Sequence, residues 1–483
     1  MKARRTKIVC TIGPSSQSKA MLTKLMHAGM DVARLNFSHG SHETHGHVIT
    51  DLRSIAAEMG RPLAILQDLS GPKMRIGDLG AGILLKRNQI VGLVAGEISA
   101  PQDSTVMIPV PLPELLSALT PGRTLLLDDG KITLRVTEAL RDCNHGSTVV
   151  YARCLTGGPL TSRKGIAAPG VRIDVPSATS KDLDDLRFGL HHGVDMVAVS
   201  FVRSCEDLKP IFAVMEDVGI RRPVLAKIEK SEAVHNFASI LKVVDGIMVA
   251  RGDLGVEMAF DEVPIVQKHL IKQCNQAAKP VITATQMLES MLSCPRPTRA
   301  EATDVANAIL DGTDAVMLSG ETASGEYPVE AVKTMAQIAR RAEEAFFHEH
   351  LYQQRLAEPD DVTAAVSRAS ANIAGAVKAS AIICATTTGG TARQVASRRP
   401  DVPILAVTNE ATTYHALALT WGVEPCLVNT VHNTDAMMEA TLEAAQLHKL
   451  VKHGDRVVLT AGVPVNRPGT TNLIRVHTVG NPL

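Results

Sequence analysis

The residues of this chain best suited to chemistry are a lysine and two carboxylates, Lys227, Glu229 and Asp253. They lie at the ends of two short apolar runs, 223–229 and 246–253. Residues two apart on a strand face the same side, so Lys227 and Glu229 can point into one site. A cation beside two carboxylates is suited to handling a phosphoryl group with a divalent metal. A structural ion pair between Lys227 and Glu229 is the alternative.

Glu229 and Asp253 are hard oxygen ligands, and such carboxylates suit Mg²⁺ or Mn²⁺ when substrate oxygens complete the coordination. Lys227 would then neutralise charge on a transferring phosphoryl group, with further positive charge from Arg34 and Arg75.

Other apolar runs also end in polar side chains. These residues are Arg34, Asn36, Ser38, Asp68, Arg251, Thr285, Gln286, Ser319 and Glu321, and His39 directly follows the second run. Any one of them could be a polar group that simply meets water. Their concentration at the ends of several runs argues instead for one shared site.

The runs themselves predict the fold. Each is short, nearly continuous in hydrophobicity and rich in β-branched residues, as strands buried on both faces are. They are residues 7–12, 31–37, 62–68, 195–201, 223–229, 246–253, 280–285 and 314–319. Amphipathic helical patterns separate most of them, and this alternation predicts a (β/α)8 TIM barrel, which is an α/β fold.

Local signals place the helix ends. Gly60 follows a helical repeat of apolar residues, and Thr298 with Glu301 has the spacing of a capping box. The His-Glu-Thr-His stretch at 42–45 is one residue short of the HExxH zinc spacing, so we interpret it as a solvated helix start. The chain has no Walker A sequence and no GxGxxG after a strand.

Two segments interrupt the barrel pattern. Residues 72–170 alternate and contain Asp129-Gly130 between strand-like segments, which predicts a hairpin in an inserted all-β domain. The barrel would then be 1–71 and 171–344. Residues 345–483 begin with a polar linker and continue with a helix and five strand-like runs, which predicts a separate α/β domain.

The composition excludes several classes of partner. The 483 residues contain 50 Lys+Arg and 50 Asp+Glu, so neither nucleic acid nor an anionic membrane is an expected partner. The N-terminus shows no signal pattern, and no apolar stretch approaches the roughly 20 residues of a membrane span. The eight cysteines are scattered without a CxxC pair, which is typical of reduced thiols in a cytoplasmic protein.

Several longer motifs resemble the pyruvate kinase family from end to end. They are Cys-Thr-Ile-Gly-Pro (10–14), Ala-Arg-Leu-Asn-Phe-Ser-His-Gly (33–40), Gly-Pro-Lys-Met-Arg (71–75), Lys-Gly-Ile (164–166), Ala-Lys-Ile-Glu (226–229), Val-Ala-Arg-Gly-Asp-Leu-Gly (249–255), Ala-Thr-Gln-Met-Leu-Glu-Ser-Met (284–291), Pro-Thr-Arg-Ala-Glu (297–301) and Leu-Ser-Gly-Glu-Thr-Ala (318–323). The resemblance implies a barrel, a small β-barrel lid, a C-terminal α/β regulatory domain and a homotetramer.

The resemblance also implies the reaction, in which phosphoenolpyruvate and ADP become pyruvate and ATP. It implies Glu229 and Asp253 as ligands of Mg²⁺ (or Mn²⁺) and Lys227 as the stabiliser of the transferring phosphoryl group. Phosphate contacts would come from Arg34 and Arg75. The substrate carboxylate would meet Gly252, Asp253 and Thr285, the nucleotide side would hold Asn36, Ser38, His39 and Lys164, and a proton relay to the enolate would use Thr285 and Ser319.

One departure concerns the monovalent cation. Many members of the family need K⁺, in a pocket resembling Asn36, Ser38 and Asp68, and carry Thr and Glu where this chain has Leu69 and Lys73. In the family the Leu/Lys pair marks enzymes that work without K⁺. An ammonium at Lys73 can supply the charge that K⁺ would bring, so we expect activity without K⁺.

The C-terminal domain contains a loop rich in hydroxyls and backbone N–H groups, which suits a phosphate. Its residues are Thr386, Thr387, Thr388, Gly389, Gly390 and Thr391, and Arg467 of a later loop could meet a second phosphate. The corresponding loop of the family binds an effector phosphate, which implies activation by a phosphorylated sugar or AMP. An ordinary strand-to-helix turn is the alternative.

Two other functions fit part of the pattern. A different phosphoenolpyruvate-handling TIM-barrel enzyme, such as a lyase or aldolase, would share the metal carboxylates but would not need residues 72–170. A non-catalytic binding protein on the same fold would not need the full set of charged residues at the run ends. Formation of ATP from phosphoenolpyruvate and ADP distinguishes the three.

Overall fold

The structure is a computed structural model that describes residues 4–72, 74–95, 105–141, 148–348, 361–430, 433–464 and 471–482. Strand and helix alternate from the start of the chain, as the apolar runs predict. The first elements are β1 (Lys7–Ile12), α1 (Lys19–Ala28), β2 (Val32–Asn36), α2 (His42–Met59) and β3 (Ala64–Asp68). Gly60 ends α2 in the left-handed conformation, at φ 58°, which glycine adopts without strain.

An all-β segment follows β3. Its elements are β4 (Ile83–Leu85), β5 (Ile90–Val94), β6 (Val106–Pro109), α3 (Pro113–Ala118), β7 (Thr124–Leu127), β8 (Ile132–Arg141), β9 (Thr148–Thr156), β10 (Gly158–Leu160) and β11 (Ile166–Ala167). One sheet has the order β11-β7-β8-β9-β5-β6, and β10 pairs with β4. The predicted hairpin is confirmed, because β7 and β8 pair antiparallel on either side of Asp129-Gly130. The segment has its own buried apolar cluster.

The alternation of strand and helix then resumes. The elements are α4 (Ser180–His191), β12 (Met196–Val199), α5 (Lys209–Val218), β13 (Val224–Ile228), α6 (Ser231–His235), α7 (Phe237–Val243), β14 (Gly246–Ala250), α8 (Arg251–Glu257), α9 (Val263–Gln276), β15 (Val281–Ala284), α10 (Arg299–Leu310), β16 (Ala315–Leu318), α11 (Gly320–Ala323) and α12 (Pro328–His348). Thr298 and Glu301 form the predicted capping box at the start of α10.

Eight parallel strands close into a barrel in the order β1-β16-β15-β14-β13-β12-β3-β2, which confirms the TIM barrel. Their residues are almost entirely buried, as the continuous apolar runs predict. The predicted run 246–253 is wrong at its end, since β14 stops at Ala250 and α8 begins at Arg251. Asp253 therefore lies in the first turn of a helix and not on a strand.

The C-terminal domain is an open α/β sheet. Its elements are α13 (Val362–Ala376), β17 (Ala381–Ala385), α14 (Gly390–Ala396), β18 (Ile404–Thr408), α15 (Ala411–Ala416), β19 (Val423–Leu427), α16 (Thr434–Leu447), β20 (Arg456–Gly462) and β21 (Thr471–Thr478). The strand order is β19-β18-β17-β20-β21, with only β21 antiparallel. The predicted separate α/β domain is thereby confirmed.

The interpretation of residues 42–45 as a solvated helix start is wrong for His45. Its ring stacks on Phe37 with centroids 4.2 Å apart, and Nε2 donates to His39 O at 2.9 Å. His45 is only 8% exposed, and burial lowers the pKa of its imidazole. The apolar ring of Phe37 at the end of β2 gives this histidine a partner that the local sequence pattern did not reveal.

The interior of the barrel is filled by side chains from all eight strands, and it is completed from the other domain. Ala418 and Leu419 of the C-terminal domain belong to the same buried cluster as Val9, Leu225 and Met248. They approach from the end where the barrel strands begin, since Lys7 at the start of β1 donates to Val423 O at 2.8 Å. The opposite end, where the strands finish, is left for the polar side chains.

A buried arginine joins the two domains at the same end of the barrel. Arg399 donates to Asp314 Oδ1 and Asn275 Oδ1, each at 3.0 Å. Its guanidinium also lies 4.8 Å from the ring centroid of Trp421. A buried ion pair of this kind resists rearrangement, because loss of Asp314 would leave the Arg399 charge buried without a counter-ion.

Candidate active site

Lys227, on β13, is the centre of a buried charged cluster. Its Nζ lies 2.8 Å from Glu229 Oε1 and 3.3 Å from Asp68 Oδ1, and it donates to Ser200 Oγ at 2.7 Å. Burial would lower the pKa of Lys227, but the charges of Asp68 and Glu229 outweigh this effect and raise the pKa above its ordinary value. The ammonium is therefore a fixed positive charge.

Arg34, on β2, is oriented by the same aspartate. Its Nε donates to Asp68 Oδ2 at 2.6 Å and its Nη1 donates to Thr11 Oγ1 at 2.8 Å. Burial would raise the pKa of Asp68, but Lys227 and Arg34 lower it below its ordinary value. One aspartate thus positions two cations, Arg34 and Lys227, side by side at the ends of their strands.

Glu229 and Asp253 supply carboxylate oxygens beside this cluster. Glu229 Oε2 accepts from Phe201 N at 3.1 Å. Burial and the neighbouring charge of Glu229 raise the pKa of Asp253 to about 6. The shift shows that the nearby lysines do not offset burial and the charge of Glu229 at Asp253. Carboxylate oxygens are the donors that Mg²⁺ and Mn²⁺ prefer. The residues present therefore fit a divalent cation.

Few protein ligands would hold such an ion. Throughout the part of the chain that the structure describes, no group of three or more His, Cys, Asp or Glu side chains is arranged to hold a metal. Mg²⁺ usually keeps one or two protein carboxylates and takes its other ligands from substrate and water. The pair of Glu229 and Asp253 matches that pattern.

Thr285 is held in a strained conformation just after β15. Its φ is 68°, and Gln286 follows at 54°, a region that is costly for a β-branched residue. The Thr285 hydroxyl accepts from Gly252 N and donates to Ala284 O, each at 2.7 Å. Arg251 fixes the same loop, because its Nη2 donates to Thr285 O at 2.7 Å. A carboxylate bound at Gly252 N would replace the Thr285 hydroxyl as the acceptor of that hydrogen bond.

Ser319 presents a hydroxyl with spare hydrogen-bonding capacity. Its Oγ is buried and has no hydrogen-bond partner among the described residues. Its backbone N–H donates to Glu321 Oε2 at 2.7 Å, and burial raises the pKa of that glutamate. Buried hydroxyls are normally bonded, so this one is suited to a water or substrate atom.

The residues assigned to the nucleotide side fall into two groups. After β2, Asn36 Oδ1 accepts from Ser38 N at 3.1 Å, and Ser38 Oγ bonds Ser70 Oγ at 3.0 Å. His39 is exposed at the same turn.

The second group belongs to the inserted domain and the chain leading into it. Arg75 pairs with Gly165 through an isolated bridge, and its Nη1 donates to Arg163 O at 3.2 Å. Lys164 Nζ lies 2.8 Å from Asp128 Oδ1. Both cations are therefore held by groups of the inserted domain in this structure, and neither is bonded to the barrel cluster.

A cavity of about 120 Å³ separates the inserted domain from the carboxylates of the barrel. Its wall on one side includes Asp129 and Gly165, and on the other Glu229, Asp253 and Phe201. The inserted domain thus covers the end of the barrel where Lys227 and its partners lie. Such a cover restricts water around reacting groups, which strengthens electrostatic interactions there.

Several contributors to this site carried no sequence signal. Ser200 binds the Lys227 ammonium, Thr11 binds Arg34, and the Phe201 backbone N–H binds Glu229. Phe201 has a φ of 57°, which turns its N–H toward a neighbouring strand end. Small hydroxyls and backbone groups are common everywhere in a sequence, so only the barrel order shows which ones meet a charge.

A second and larger cavity, of about 310 Å³, lies where the C-terminal domain meets the barrel, since Asp245 and Ala277 also line it. It is lined by five residues of the predicted effector loop, which are Thr386, Thr387, Thr388, Gly390 and Thr391. Gly389 N donates to Thr386 Oγ1 at 3.0 Å and so closes the turn. Arg467, the other predicted effector contact, lies outside the described residues. The same is true of Lys73, which was predicted to replace the monovalent cation.

The chain matches one protein family over most of its length. The family profile for the pyruvate kinase barrel domain covers residues 3–332, and the profile for the pyruvate kinase alpha/beta domain covers residues 364–477. A pyruvate kinase of Geobacillus stearothermophilus is 47% identical, over 99% of this chain and 81% of that protein. Pyruvate kinases of Sporosarcina psychrophila and Staphylococcus aureus are each 45% identical, with the same coverage.

Among the described residues, no helix is long and apolar enough to cross a membrane. The barrel strands fall within the first profile, and the C-terminal sheet falls within the second except for the last residue of β21. Identity at this level over nearly the whole chain shows common descent and a common fold. The chain belongs to the pyruvate kinase family and is a phosphotransferase.

Proposed function

We propose that this chain transfers the phosphoryl group of phosphoenolpyruvate to ADP, at the barrel end that carries Lys227. The observation that carries the proposal is the Lys227 ammonium, held charged between Asp68 and Glu229, with the carboxyl group of Asp253 beside them. Phosphoryl transfer develops charge on oxygens and is catalysed mainly by positioning and fixed positive charge.

The chain's own residues divide this work. Lys227 donates to an oxygen of the moving phosphoryl group, and Arg34 binds a phosphate oxygen through its remaining nitrogen. Gly252 and Thr285 orient the substrate carboxylate. Glu229 and Asp253 hold Mg²⁺ or Mn²⁺, which neutralises phosphate charge when bound. On the nucleotide side we assign Asn36, Ser38, His39, Arg75 and Lys164.

The enolate that remains after transfer needs a proton at carbon. Thr285 and Ser319 are our candidates for a relay. The Thr285 hydroxyl donates its proton to Ala284 O, whereas Ser319 Oγ has no partner among the described residues. We therefore assign Ser319 to hold the water that delivers the proton, and Thr285 to orient the carboxylate.

A coupled assay tests the reaction directly. Purified protein with phosphoenolpyruvate, ADP and Mg²⁺ should produce ATP and pyruvate in equal amounts. A lyase or aldolase acting on the same substrate would consume phosphoenolpyruvate without forming ATP. Pyruvate or phosphate release that does not depend on ADP would therefore overturn the proposal.

We further propose that K⁺ is not required. Asp68 is already paired with Arg34 and Lys227, and the Leu69 carbonyl accepts from Ser200 Oγ at 2.7 Å. Asp68 Oδ1 nonetheless accepts no hydrogen bond from the described residues. The ammonium of Lys73 is our candidate for the remaining positive charge in the pocket formed with Asn36 and Ser38.

Omitting monovalent cations tests this assignment. In tetramethylammonium salts free of K⁺ and NH₄⁺, the wild type should keep at least about half of its rate. Lys73→Glu should make the activity depend on K⁺, because it replaces a positive charge by a negative one that a bound K⁺ would neutralise. A wild-type rate that collapses without K⁺ would contradict the assignment, and Na⁺ titration controls for ionic strength.

We propose regulation by a phosphorylated sugar or AMP bound in the 310 Å³ cavity of the C-terminal domain. Its volume suits one small ligand, and the hydroxyls of Thr387 and Thr388 lie in its wall. Arg467, on a loop outside the described residues, is a further candidate contact. The expected effect is a lower half-saturating concentration of phosphoenolpyruvate.

We also propose a homotetramer. Phe260 is 84% exposed and Ile265 is 67% exposed, and both lie near the start of α9. Large exposed apolar side chains close together in sequence are typical of subunit contacts, and a second copy of this chain is the occupant we expect.

Phe260→Glu should weaken that contact, since burying a carboxylate against an apolar surface is unfavourable. We expect light scattering after gel filtration to show a smaller species than the wild type at the same concentration. Leu84→Glu, at a 64% exposed position of the inserted domain, is the matched control and should not change the mass. An unchanged mass for Phe260→Glu would reject this surface.

A further inference from the structure

Two linkers join the inserted domain to the barrel, and they meet at the start of α4. The chain leaves β3 and passes through residues 69–72, the entry linker, into the inserted domain. It returns through residues 171–179, the exit linker, and α4 begins at Ser180. The linkers lie against each other, because a Cβ at Gly71 would lie 3.5 Å from Ser177 O. The inserted domain therefore extends over the active site from one point of the barrel.

Asp182, in the first turn of α4, binds both linkers. Its Oδ2 accepts from Thr179 N at 2.8 Å and from Thr179 Oγ1 at 2.6 Å, and these bonds belong to the capping box of the helix. Its Oδ1 accepts from Gly71 N at 3.0 Å. The carboxylate is fully buried. Helix capping uses only one of its oxygens, so the bond to Gly71 is a second role of the same side chain.

The bonds of Asp182 require a carboxylate. Both of its oxygens face N–H or O–H donors. A carboxylate accepts on both sides, whereas an amide would turn its NH₂ group toward one of the donors. The N-terminal end of a 12-residue helix also favours a negative group at this position. Asp182 is thus a fixed connection between the two linkers.

The entry linker also packs on the charged cluster of the barrel. A Cβ at Gly71 would lie 2.9 Å from the Phe201 ring and 3.1 Å from Ser200 Cβ, so a larger residue would push against both side chains. The φ of Gly71 is 65°, which glycine adopts without strain. Ser200 binds the Lys227 ammonium, and the Phe201 N–H binds Glu229. The entry linker therefore touches the two residues that hold Lys227 and Glu229.

The same turn of α4 holds a loop on the nucleotide side. Lys181 Nζ donates to Phe37 O at 3.0 Å, and Phe37 directly precedes Ser38 and His39. The first turn of α4 is therefore bonded to the loop after β2 and to the entry linker of the inserted domain. These are the two parts of the chain to which the nucleotide-side residues are assigned.

We propose that Asp182 is a positioning residue for the nucleotide half of the reaction. By holding the entry and exit linkers together, it sets the position of the inserted domain over the barrel, so that Arg75 and Lys164 approach the phosphates of ADP. Glu229 and Asp253 belong to the barrel and keep their own contacts without this connection. The inference rests on the proposed function and adds a residue that does not itself touch substrate.

Asp182→Ala in the full-length protein separates nucleotide binding from metal binding. The KM for ADP should rise by about 10-fold or more and kcat should fall, because the inserted domain is no longer held in place. The Mn²⁺ dissociation constant, measured by electron paramagnetic resonance without nucleotide, should stay within about 2-fold of the wild-type value. General damage to the fold would change both quantities. Asp184→Ala is the matched control, since Asp184 lies on the same helix but is exposed and pairs with Arg187.

Hydrogen exchange followed by mass spectrometry tests the connection itself and needs no turnover. In Asp182→Ala, the peptide that contains Gly71 should exchange faster by about 10-fold or more, since the Gly71 N–H loses its acceptor. Thr298→Val is the control for a weakened helix cap. It removes the hydroxyl from the capping box of α10 and touches neither linker, so the exchange at Gly71 should not change.

The outcomes distinguish this inference from the proposed function. A wild type that forms no ATP would overturn both. If the wild type forms ATP, an unchanged KM for ADP or unchanged exchange at Gly71 in folded Asp182→Ala would overturn this inference alone. If Asp182→Ala fails to fold, Asp182→Asn decides the question. Its amide can accept from only one linker, so the KM for ADP should rise by about 3-fold or more, and an unchanged KM would again reject the role of Asp182.

Discussion

Lys227→Met should lower kcat by about 10²–10³-fold or more, which is the usual effect of removing one group that stabilises developing charge. Two carboxylates and a hydroxyl fix the position of the Lys227 ammonium. Another cation that is not held in this way would not replace it. Because the lost interaction strengthens in the transition state, kcat and kcat/KM should fall together while KM changes less.

Steady-state kinetics with phosphoenolpyruvate and ADP measure this result. Lys209→Met, at an exposed lysine paired with Glu206, is the control and should keep the wild-type rate. Removing Lys227 also leaves Asp68 and Glu229 with less positive charge, so thermal unfolding must be followed to show that the variant is folded at the assay temperature. A folded Lys227→Met enzyme with more than a tenth of the wild-type kcat would reject the assigned role.

Asp253→Asn should remove most of the affinity for a divalent cation while stabilising the metal-free protein. Burial and Glu229 raise the pKa of Asp253 to about 6, so the ionised carboxylate opposes folding. That penalty is complete above the folded pKa and disappears below the unfolded value of 3.8. At pH 7.5 the metal-free variant should therefore melt at a higher temperature than the wild type.

Mn²⁺ binding followed by electron paramagnetic resonance measures the other half of this prediction without turnover. The Mn²⁺ dissociation constant should rise by about 10-fold or more, and the increase in melting temperature on adding Mn²⁺ should be lost. Glu257→Gln is the matched control, since Glu257 lines the same cavity but pairs with Lys230. Equal Mn²⁺ affinity in Asp253→Asn and Glu257→Gln would show that Asp253 is not a ligand.

The sequence was sufficient to predict the barrel because each strand lies in a short and nearly continuous apolar run. Strand alternation also predicts that Lys227 and Glu229 face the same side. The structure brings their charged atoms to 2.8 Å, so they form an ion pair. The sequence placed Asp253 near these two residues, but it assigned Asp253 to the end of a strand and not to the first turn of α8. The apolar run continues to Ala250, and the start of α8 carries no local capping signal that separates helix from strand.

Contacts between strands that are distant in sequence could not be predicted. Asp68 pairs with both Arg34 and Lys227 because β3 lies between β2 and β12, with β13 next in the barrel. The inserted domain separates β3 from β12 along the chain, so the sequence does not show that these two strands are neighbours. Likewise, nothing in the threonine loop at 386–388 indicates that barrel residues form the other wall of its cavity.

The apolar side chains of Ala418 and Leu419, which complete the barrel interior, have a consequence for biosynthesis. These residues are translated after every barrel strand. The nascent barrel therefore leaves the ribosome with an open interior at the end where its strands begin. A chain that stopped after α12 would keep that apolar opening permanently, and exposed surfaces of this kind promote aggregation. The C-terminal domain is thus the last part of the chain needed to bury the interior of the barrel.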